Sequence, residues 1–275
     1  AFVGSHGQTV WHEPVKVDFL GKHFNSTLQI GDSSPIAERL DTVVVSDFRV
    51  RDVAAGGTGA PLVPYTEFVL YSDSKRNVAL QNIGGIGNIT ILKKGCSLDE
   101  VFAFDTGPGN MLIDGCISRI TSGGLKYDEG GRLAGKGNPN KELLDFIVEN
   151  DDYIRQTPPK NSGRERYGSK FLDRIIKEGE RLGVASEDLL ATITDYTAFT
   201  IYYSIKNHCK LTPERLIVGG GGANNHTLMS YIRKYLPDTE VITNEDLGLS
   251  GDAKEAVAFA LLANDCLYGR CNNAP

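Results

Sequence analysis

The chain lacks several patterns that would assign it to a protein class directly. Its cysteines are Cys96, Cys116, Cys209, Cys266 and Cys271. They form no CxxC pair and leave one over, so we expect free thiols in a reducing compartment, without a disulfide framework or a zinc site. No charged leader precedes an apolar core, and the longest uninterrupted apolar run, residues 256–263, has only eight residues. These absences predict a soluble, cytoplasmic protein without a membrane partner.

Clustered basic charge is also absent. The net charge is -6, and no basic stretch is interleaved with aromatic residues. The sequence therefore carries no electrostatic footprint for nucleic acid or anionic lipid. With 40% hydrophobic and 23% charged residues, the 275-residue chain has enough apolar material for one sizeable core or two modest domains. A phosphate ligand would have to be held by backbone amides and a metal.

The first part of the chain opens in an unusual way, because AFVGSHGQTV has no initiator methionine. Phe2 and Val3 are typical of the end of a strand, so we expect the chain to start inside a domain. The GSHGQTV stretch predicts a turn, followed by a polar connection to an alternating strand over 26–30. Residues 42–45 predict a buried parallel strand, and the glycine-rich residues 54–64 predict a loop or hinge.

From Val78 the pattern changes. Residues 78–83 and 86–92 are two strand patterns separated by Gly84 and Gly85, a strong hairpin signal. A third strand is predicted at 101–104. Helices and strands are then predicted at 110–120, 142–148, 169–182, 186–208, 216–218 and 240–243, with further helices from His226 and Gly251. This order predicts a mixed-sheet α/β domain with ligands at the carboxyl ends of the parallel strands.

The stretch VFAFDTGPGNMLI, residues 101–113, is the first candidate site. Asp105 would end a strand, and Gly107 and Gly109 would let the backbone approach a ligand closely. The helix beginning at Asn110 would direct its amide groups at an anion. The alternative is a tight turn with a capping acid.

A second candidate is the run of glycines Gly219, Gly220, Gly221 and Gly222. It matches neither GxGxxG with a downstream acid nor GxxxxGK[ST], so dinucleotide and Walker interpretations fail. Because four glycines cost conformational entropy on folding, we favour a bound ligand over a flexible turn. The hairpin explains Gly84 and Gly85, yet such turns also present amides to phosphate.

Other candidates are weaker when taken alone. His6 could belong to a hydrogen-bonded loop, and Asp47 with Arg49 could form a surface ion pair. Glu255 could contact a metal–phosphate complex or simply complement the dipole of a helix capped by Ser250. The segment 151–168 carries two prolines and several charges, which is typical of a surface crossing or a substrate-facing lid.

Taken together, eight ordered motifs between Ser5 and Ala260 resemble the anhydro-N-acetylmuramic acid kinase family. They are GSHGQTV, LQIGD, DFRVRDVAAGGTGAPLVP, LQNIGGIGNIT, FDTGPGNMLID, PPKNSGRE, GGGGANN and GDAKEAVAFA. The fungal levoglucosan kinases share most of them. The family is similar to the hexokinase, Hsp70 and actin superfamily. The resemblance therefore implies an α/β, actin-like ATPase (ribonuclease H-like) fold, with mixed sheets flanked by helices and two domains that clasp ATP and magnesium.

The resemblance also implies a reaction and a set of roles. Water opens the 1,6-anhydro bridge while the freed O6 accepts the γ-phosphoryl group, giving N-acetylmuramic acid 6-phosphate in peptidoglycan recycling. Asp105 would deprotonate the water, Gly107 and Gly109 would hold the ligand side of the turn, and Glu255 would help place Mg²⁺. The other implied contacts are the phosphate hairpin Gly84 and Gly85, the adenosine loop Gly219 to Gly222 with Asn224, and the sugar side His6, Asp47 and Arg49.

The resemblance further implies a domain division. Residues 1–76 would be the latter part of a sugar-side domain, and residues 77–275 a nucleotide-side domain. Family members begin with a GTSxDG-type phosphate loop, which does not occur before Ser5, so we expect the first domain to be incomplete. Two alternatives stay open: a levoglucosan-type kinase, and a truncated nucleotide- or sugar-binding remnant without turnover. A homodimer is also left open.

Overall fold

The computed structural model describes residues 1–249 and 253–273, and it divides into two compact units. Unit 1 consists of Ala1–Tyr71, Ser97–Asp99 and Asp252–Pro275, and unit 2 consists of Ser72–Cys96 and Glu100–Gly251. The first boundary lies close to the expected one after residue 76. The last helix differs from the expectation, because it clusters with unit 1 and not with residues 77–251.

Strands and helices alternate along most of the chain. The strands are β1 Phe2–Gly4, β2 Gln8–Phe19, β3 Lys22–Ile30, β4 Val43–Val45, β5 Val78–Ile83, β6 Gly87–Leu92, β7 Phe102–Gly107, β8 Arg215–Gly219 and β9 Glu240–Thr243. The helices are α1 Ser34–Leu40, α2 Phe48–Ala54, α3 Val63–Tyr71, α4 Met111–Ile120, α5 Lys141–Asn150, α6 Arg164–Tyr167, α7 Ser169–Arg181, α8 Ser186–His208, α9 His226–Tyr235 and α10 Lys254–Leu267. In the described ranges, no helix is both long and apolar enough to span a bilayer.

In unit 1, β1 pairs in parallel with β4, and β2 pairs antiparallel with β3. The prediction of a turn and polar connection over β2 was wrong. The segment is a strand whose Trp11 lies opposite Leu28, and Gly21, with φ at +73°, lies in the turn before β3. Polar residues interrupt the apolar ones along β2, so its pairing depends on cross-strand contacts that only β3 supplies.

Helix α10 completes the core of unit 1. Leu262 is buried with Leu62 and Tyr65, and the Tyr65 hydroxyl donates to Asp265 Oδ2 at 2.5 Å. Burial, followed by the hydrogen bond to Asp265, raises the pKa of Tyr65 to about 12. This helix also packs on β1, where a Cβ added to Gly4 would lie 2.3 Å from a main-chain oxygen of α10. That close packing explains why the last helix belongs to unit 1.

Unit 2 is built on a five-stranded sheet in the order β7-β6-β5-β8-β9. Strands β5, β6 and β7 form an antiparallel meander, whereas β5, β8 and β9 are parallel. The predicted mixed sheet flanked by helices is therefore confirmed. Strands β5, β7 and β8 point the same way, so the turns that follow them lie at one edge of the sheet.

The 23-residue helix α8 forms the centre of the unit 2 core. Helices α4, α5 and α9 pack against it, and Ile193, Tyr196 and Ile201 are almost fully buried. Each fully buried aliphatic side chain contributes about 1.5–3 kcal/mol relative to an exposed one. Because α8 is buried on several sides, it is a firm support for the turn after β7.

Candidate active site

The turn after β5 and the start of α4 are joined by backbone hydrogen bonds. The amide of Asn110 donates to the carbonyl of Gly84 at 2.8 Å, and the amide of Met111 donates to that of Gly85 at 3.1 Å. The Asn110 side chain also donates to the carbonyl of Ile83 at 3.2 Å. Two of the predicted glycine turns therefore form one continuous backbone surface.

The glycine run after β8 reaches the same place. Gly220 has a φ of +80°, and a Cβ there would lie 2.6 Å from Asn82 Oδ1. A Cβ on Gly222 would lie 2.3 Å from Ile83 Cγ2. Gly221 and Asn224 are exposed beside this contact. The structure thus brings the three predicted glycine loops together around the end of β5.

Helix α8 holds the turn after β7. Thr197 Oγ1 donates to the carbonyl of Gly109 at 3.1 Å, and a Cβ on Gly107 would lie 2.8 Å from Thr200 Oγ1. Gly109 has a φ of +54°, and a Cβ there would lie 2.5 Å from the carbonyl oxygen of Gly84. The turn therefore requires glycine at this position on two grounds, its backbone conformation and its close contact.

Asp105 lies in β7, half-buried, with its carboxylate fixed from the segment 151–168. The amide of Ser162 donates to Asp105 Oδ2 at 2.8 Å, and the amide of Asp105 donates to the carbonyl of Lys160 at 3.2 Å. Burial raises the pKa of Asp105, while the Ser162 amide and the Lys160 charge oppose that rise. A carboxylate with a raised pKa is a stronger base, provided that it remains ionised.

The segment 151–168, predicted to be a surface crossing or a substrate-facing lid, combines exposed residues with buried ones that anchor it. Asp151, Tyr153, Lys160 and Tyr167 are all buried. The Asp151 carboxylate accepts hydrogen bonds from the hydroxyl of Tyr167 at 2.7 Å and from that of Tyr196. Burial raises the pKa of both tyrosines far above the ordinary value, so they stay protonated donors. Within this segment the charges of Asp151 and Lys160 are thus satisfied inside the protein, whereas Asp152, Arg155 and Glu165 are exposed.

In unit 1, Arg49 joins two loops. Its Nε donates to His6 Nε2 at 2.7 Å, and its guanidinium donates to the carbonyl of Gly59 at 2.8 Å. His6 Nδ1 lies 2.9 Å from the carbonyl of Gly7, so the tautomer with its proton on Nδ1 satisfies both contacts. The alternative of an Asp47–Arg49 ion pair does not describe this arrangement. Asp47 precedes α2, with φ at +61°.

Glu255 lies in the first turn of α10, exposed, and its charge acts on Arg49. Burial lowers the pKa of Arg49, and Glu255 opposes that shift. No group of three or more potential ligands occurs in the part of the chain that the structure describes. Mg²⁺ is usually bound by one or two carboxylates together with substrate phosphates, so an exposed Glu255 fits that mode. Ser250, the expected cap, lies outside the described residues.

Sequence reasoning assigned no role to Lys160, Ser162 or Tyr153. The Tyr153 hydroxyl donates to the carbonyl of Asp105 at 3.2 Å, so all three residues contact Asp105. Lys160 and Ser162 belong to the PPKNSGRE motif, the signal that marks this segment. The motif does not show that they contact Asp105 of β7, because that strand is more than 50 residues earlier in the chain.

Comparison with known proteins adds sequence relatives along the whole chain. The family model described as anhydro-N-acetylmuramic acid kinase matches residues 1–275. The anhydro-N-acetylmuramic acid kinase of Caldanaerobacter subterraneus subsp. tengcongensis is 48% identical over 99% of this chain and 69% of its own length. The one from Clostridioides difficile is 49% identical over 99% of this chain and 70% of its own length.

Solved structures give weaker likenesses. The activator of the 2-hydroxyisocaproyl-CoA dehydratase from Clostridium difficile, with bound ADPNP, has a TM-score of 0.46 at 15% identity, covering 81% of this chain and 67% of that one. A ROK family glucokinase from Streptomyces griseus, in complex with glucose and AMPPNP, has a TM-score of 0.35 at 13% identity, covering 82% and 70%.

The contact between Gly109 and Gly84 gives a direct test. Gly109→Ala should destabilise unit 2 and weaken ATP binding, because the new Cβ meets the Gly84 carbonyl. Gly95→Ala is the matched control, since Gly95 has a φ of +64° with nothing within 4 Å. The control should lower the free energy of unfolding by only about 1–2 kcal/mol, the cost of a left-handed backbone at a residue with a Cβ. Gly109→Ala should lower it by about 1–3 kcal/mol more, because its Cβ overpacks the turn. Thermal unfolding and ATP titration measure both effects. Equal losses would contradict the contact.

Proposed function

This chain belongs to the anhydro-N-acetylmuramic acid kinase family, and on that premise we propose that it is an ATP-dependent kinase of 1,6-anhydro-N-acetylmuramic acid. Water opens the anhydro bridge, O6 receives the γ-phosphoryl group, and the product is N-acetylmuramic acid 6-phosphate. The observation that carries the residue assignment is the Asp105 carboxylate, fixed by the Ser162 amide beside three glycine loops. The product would feed peptidoglycan recycling.

The bonds and the proton balance as follows. The water oxygen bonds to C1, the C1–O6 bond breaks, O6 bonds to the γ-phosphorus, and ADP leaves. Asp105 takes the proton of the water. Its burial makes it a better base than an exposed aspartate, because the raised pKa brings it nearer to the operating pH. Activity should therefore rise with pH through the raised pKa of Asp105.

His6 is the rival base, and its hydrogen bonds argue against that role. One ring nitrogen accepts from Arg49, and the other lies against the carbonyl of Gly7. An imidazole with both nitrogens engaged has no free lone pair for a water molecule. We therefore assign His6, Arg49 and Asp47 to the sugar side, where His6 orients the Arg49 guanidinium, and the remaining N–H groups of Arg49 and the Asp47 carboxylate meet polar groups of the sugar. Asp105 is kept as the base.

The nucleotide is assigned to the glycine loops of unit 2. Amides of the Gly84–Gly85 turn and of the turn at Gly107 and Gly109 bind phosphate oxygens, with the start of α4 behind them. We assign the adenosine to the loop that contains Gly221 and Asn224, both of which are exposed. Glu255 would help to hold a magnesium–nucleotide complex, in which Mg²⁺ would neutralise charge on the phosphoryl oxygens.

The choice of sugar is tested by a coupled ADP assay with anhydro-N-acetylmuramic acid and levoglucosan in parallel. We expect turnover with the amino sugar, because the family relatives carry its name. The expected kcat/KM is at least about tenfold higher for the amino sugar, the ratio that one good polar contact supplies. Turnover of levoglucosan alone would make the chain a levoglucosan-type kinase and remove the cell-wall assignment.

Asp105→Asn tests the base. Turnover should fall by about a hundredfold or more, since a positioned base contributes at least that much, while ATP binding stays intact. Burial disfavours the ionised carboxylate, so its cost to stability appears as pH rises through the raised pKa. The variant should therefore be at least as stable as the wild type at neutral pH and show no advantage in acid. Unchanged turnover would remove Asp105 from this role.

Arg49→Met tests the sugar side. The variant loses the hydrogen bonds to His6 and Gly59, so KM for the sugar should rise by about tenfold, which corresponds to about 1.4 kcal/mol. KM for ATP should not change. Arg51→Met is the matched control, because Arg51 is exposed on the same helix. Its substitution removes the same charge. A rise in the KM for ATP alone would place Arg49 outside the sugar site.

A further inference from the structure

Lys160 is a buried cation at a position where a neutral side chain would cost less. Only 6% of the residue is exposed. Its ammonium donates to the carbonyls of Tyr153 at 3.1 Å and Ile154 at 3.2 Å, and it lies 4.6 Å from the centre of the Tyr153 ring. Burying an ammonium group is costly unless its charge has partners. Here the direct contacts are carbonyls and rings, and the charges that act on the ammonium are those of the Asp151 and Asp105 carboxylates.

The carbonyls that Lys160 contacts are themselves fixed. The amide of Tyr153 donates to the buried Asp151 carboxylate at 3.1 Å. His208 Nε2 lies 2.8 Å from the carbonyl of Ile154, which is also the acceptor for Lys160. The ammonium therefore links residue 160 to residues 153 and 154, which have hydrogen bonds of their own.

Lys160 is connected to Asp105 by hydrogen bonds that involve the main chain. The carbonyl of Lys160 accepts the amide of Asp105, and two residues later the amide of Ser162 donates to the Asp105 carboxylate. The Tyr153 hydroxyl donates to the carbonyl of Asp105 as well. A change in the hold on Lys160 thus reaches both the backbone and the carboxylate of Asp105.

We infer that Lys160 is a positioning residue that fixes the Ser162 amide on the Asp105 carboxylate and keeps that carboxylate ionised by its buried charge. This inference rests on the proposed role of Asp105 as the base. Lys160 acts through Asp105 and through the main chain of the segment 151–162. No contact between Lys160 and the substrate is part of it.

The charges around this pair support the same picture. Asp151 and Asp105 act on Lys160, Tyr153 is held neutral by burial, and Arg166 lies 5.3 Å from the outer face of the Tyr153 ring. Burial lowers the pKa of Lys160 to about 8, so it is charged at neutral pH. Its hold on Asp105 should weaken above that pH.

The test follows the Asp105 carboxyl itself by NMR, in the ligand-free chain labelled with ¹³C-aspartate, with Asp105→Asn to assign the resonance. In Lys160→Met and Lys160→Gln, the titration should move to higher pH, and the acid limb of kcat/KM should move with it. Turnover at neutral pH should fall by about tenfold, with KM for ATP unchanged. Lys160→Arg should restore the wild-type titration. Lys177→Met, an exposed lysine with the same charge change, should have no effect.

An unchanged Asp105 titration in a folded neutral variant would overturn the inference. The wild-type chain supplies a check that needs no variant, because its Asp105 resonance should show a second, smaller step near pH 8 as Lys160 loses its proton. A single-step curve would overturn the inference even if both neutral variants failed to fold. Because the titration needs no turnover, it also separates this inference from the proposed function, which fails if Asp105→Asn remains active.

Discussion

Unit 2 depends on direct contact between three turn backbones at the end of β5. Strands β5, β7 and β8 point the same way, so the turns after them share one edge of the sheet. Side chains at Gly109, Gly220 or Gly222 would separate these turns. Without side chains, amides and the start of α4 lie together at the surface, which is the arrangement that backbone recognition of phosphate requires.

Asp105, the proposed base, has opposing influences on its charge. Burial favours the neutral form of Asp105, whereas the Ser162 amide and the Lys160 ammonium favour the ionised form. A base of this kind needs both, since burial alone would keep the proton and full solvation would weaken the base. The balance is set from the segment 151–168, where Tyr167 and, from α8, Tyr196 hold the Asp151 carboxylate and main-chain carbonyls hold the Lys160 ammonium. The placement of Lys160 and Ser162 by that segment therefore decides the charge balance at Asp105.

Local pattern was enough for much of unit 2 and for little of unit 1. The predicted bounds of β5, α8 and β9 agree with the structure, and at β5 the glycine pair that follows the strand marks its end. Helices α2 and α3 were missed beside a glycine- and proline-rich stretch, and β2 was missed because its partner supplies its pairing. The glycine loops could be predicted, because positions with a positive φ or a close backbone contact favour glycine, which is visible in the sequence. The burial of Lys160 could not, because composition predicts an exposed lysine and its contacts come from distant segments.

The net charge of -6 and the absence of a basic cluster bear on how the cations are used. In many phosphate sites, lysine or arginine meets the phosphate itself. Here, within the described residues, Lys160 is directed at the segment that fixes Asp105, and Arg49 is directed at His6 and Gly59. In these contacts both cations hold other protein groups in place, and neither contact is with the loops assigned to phosphate. Under the proposed function, the phosphate charge is left to backbone amides and to Mg²⁺, neither of which contributes to the formal charge of the chain, so an acidic protein would bind a polyanionic nucleotide without a basic surface.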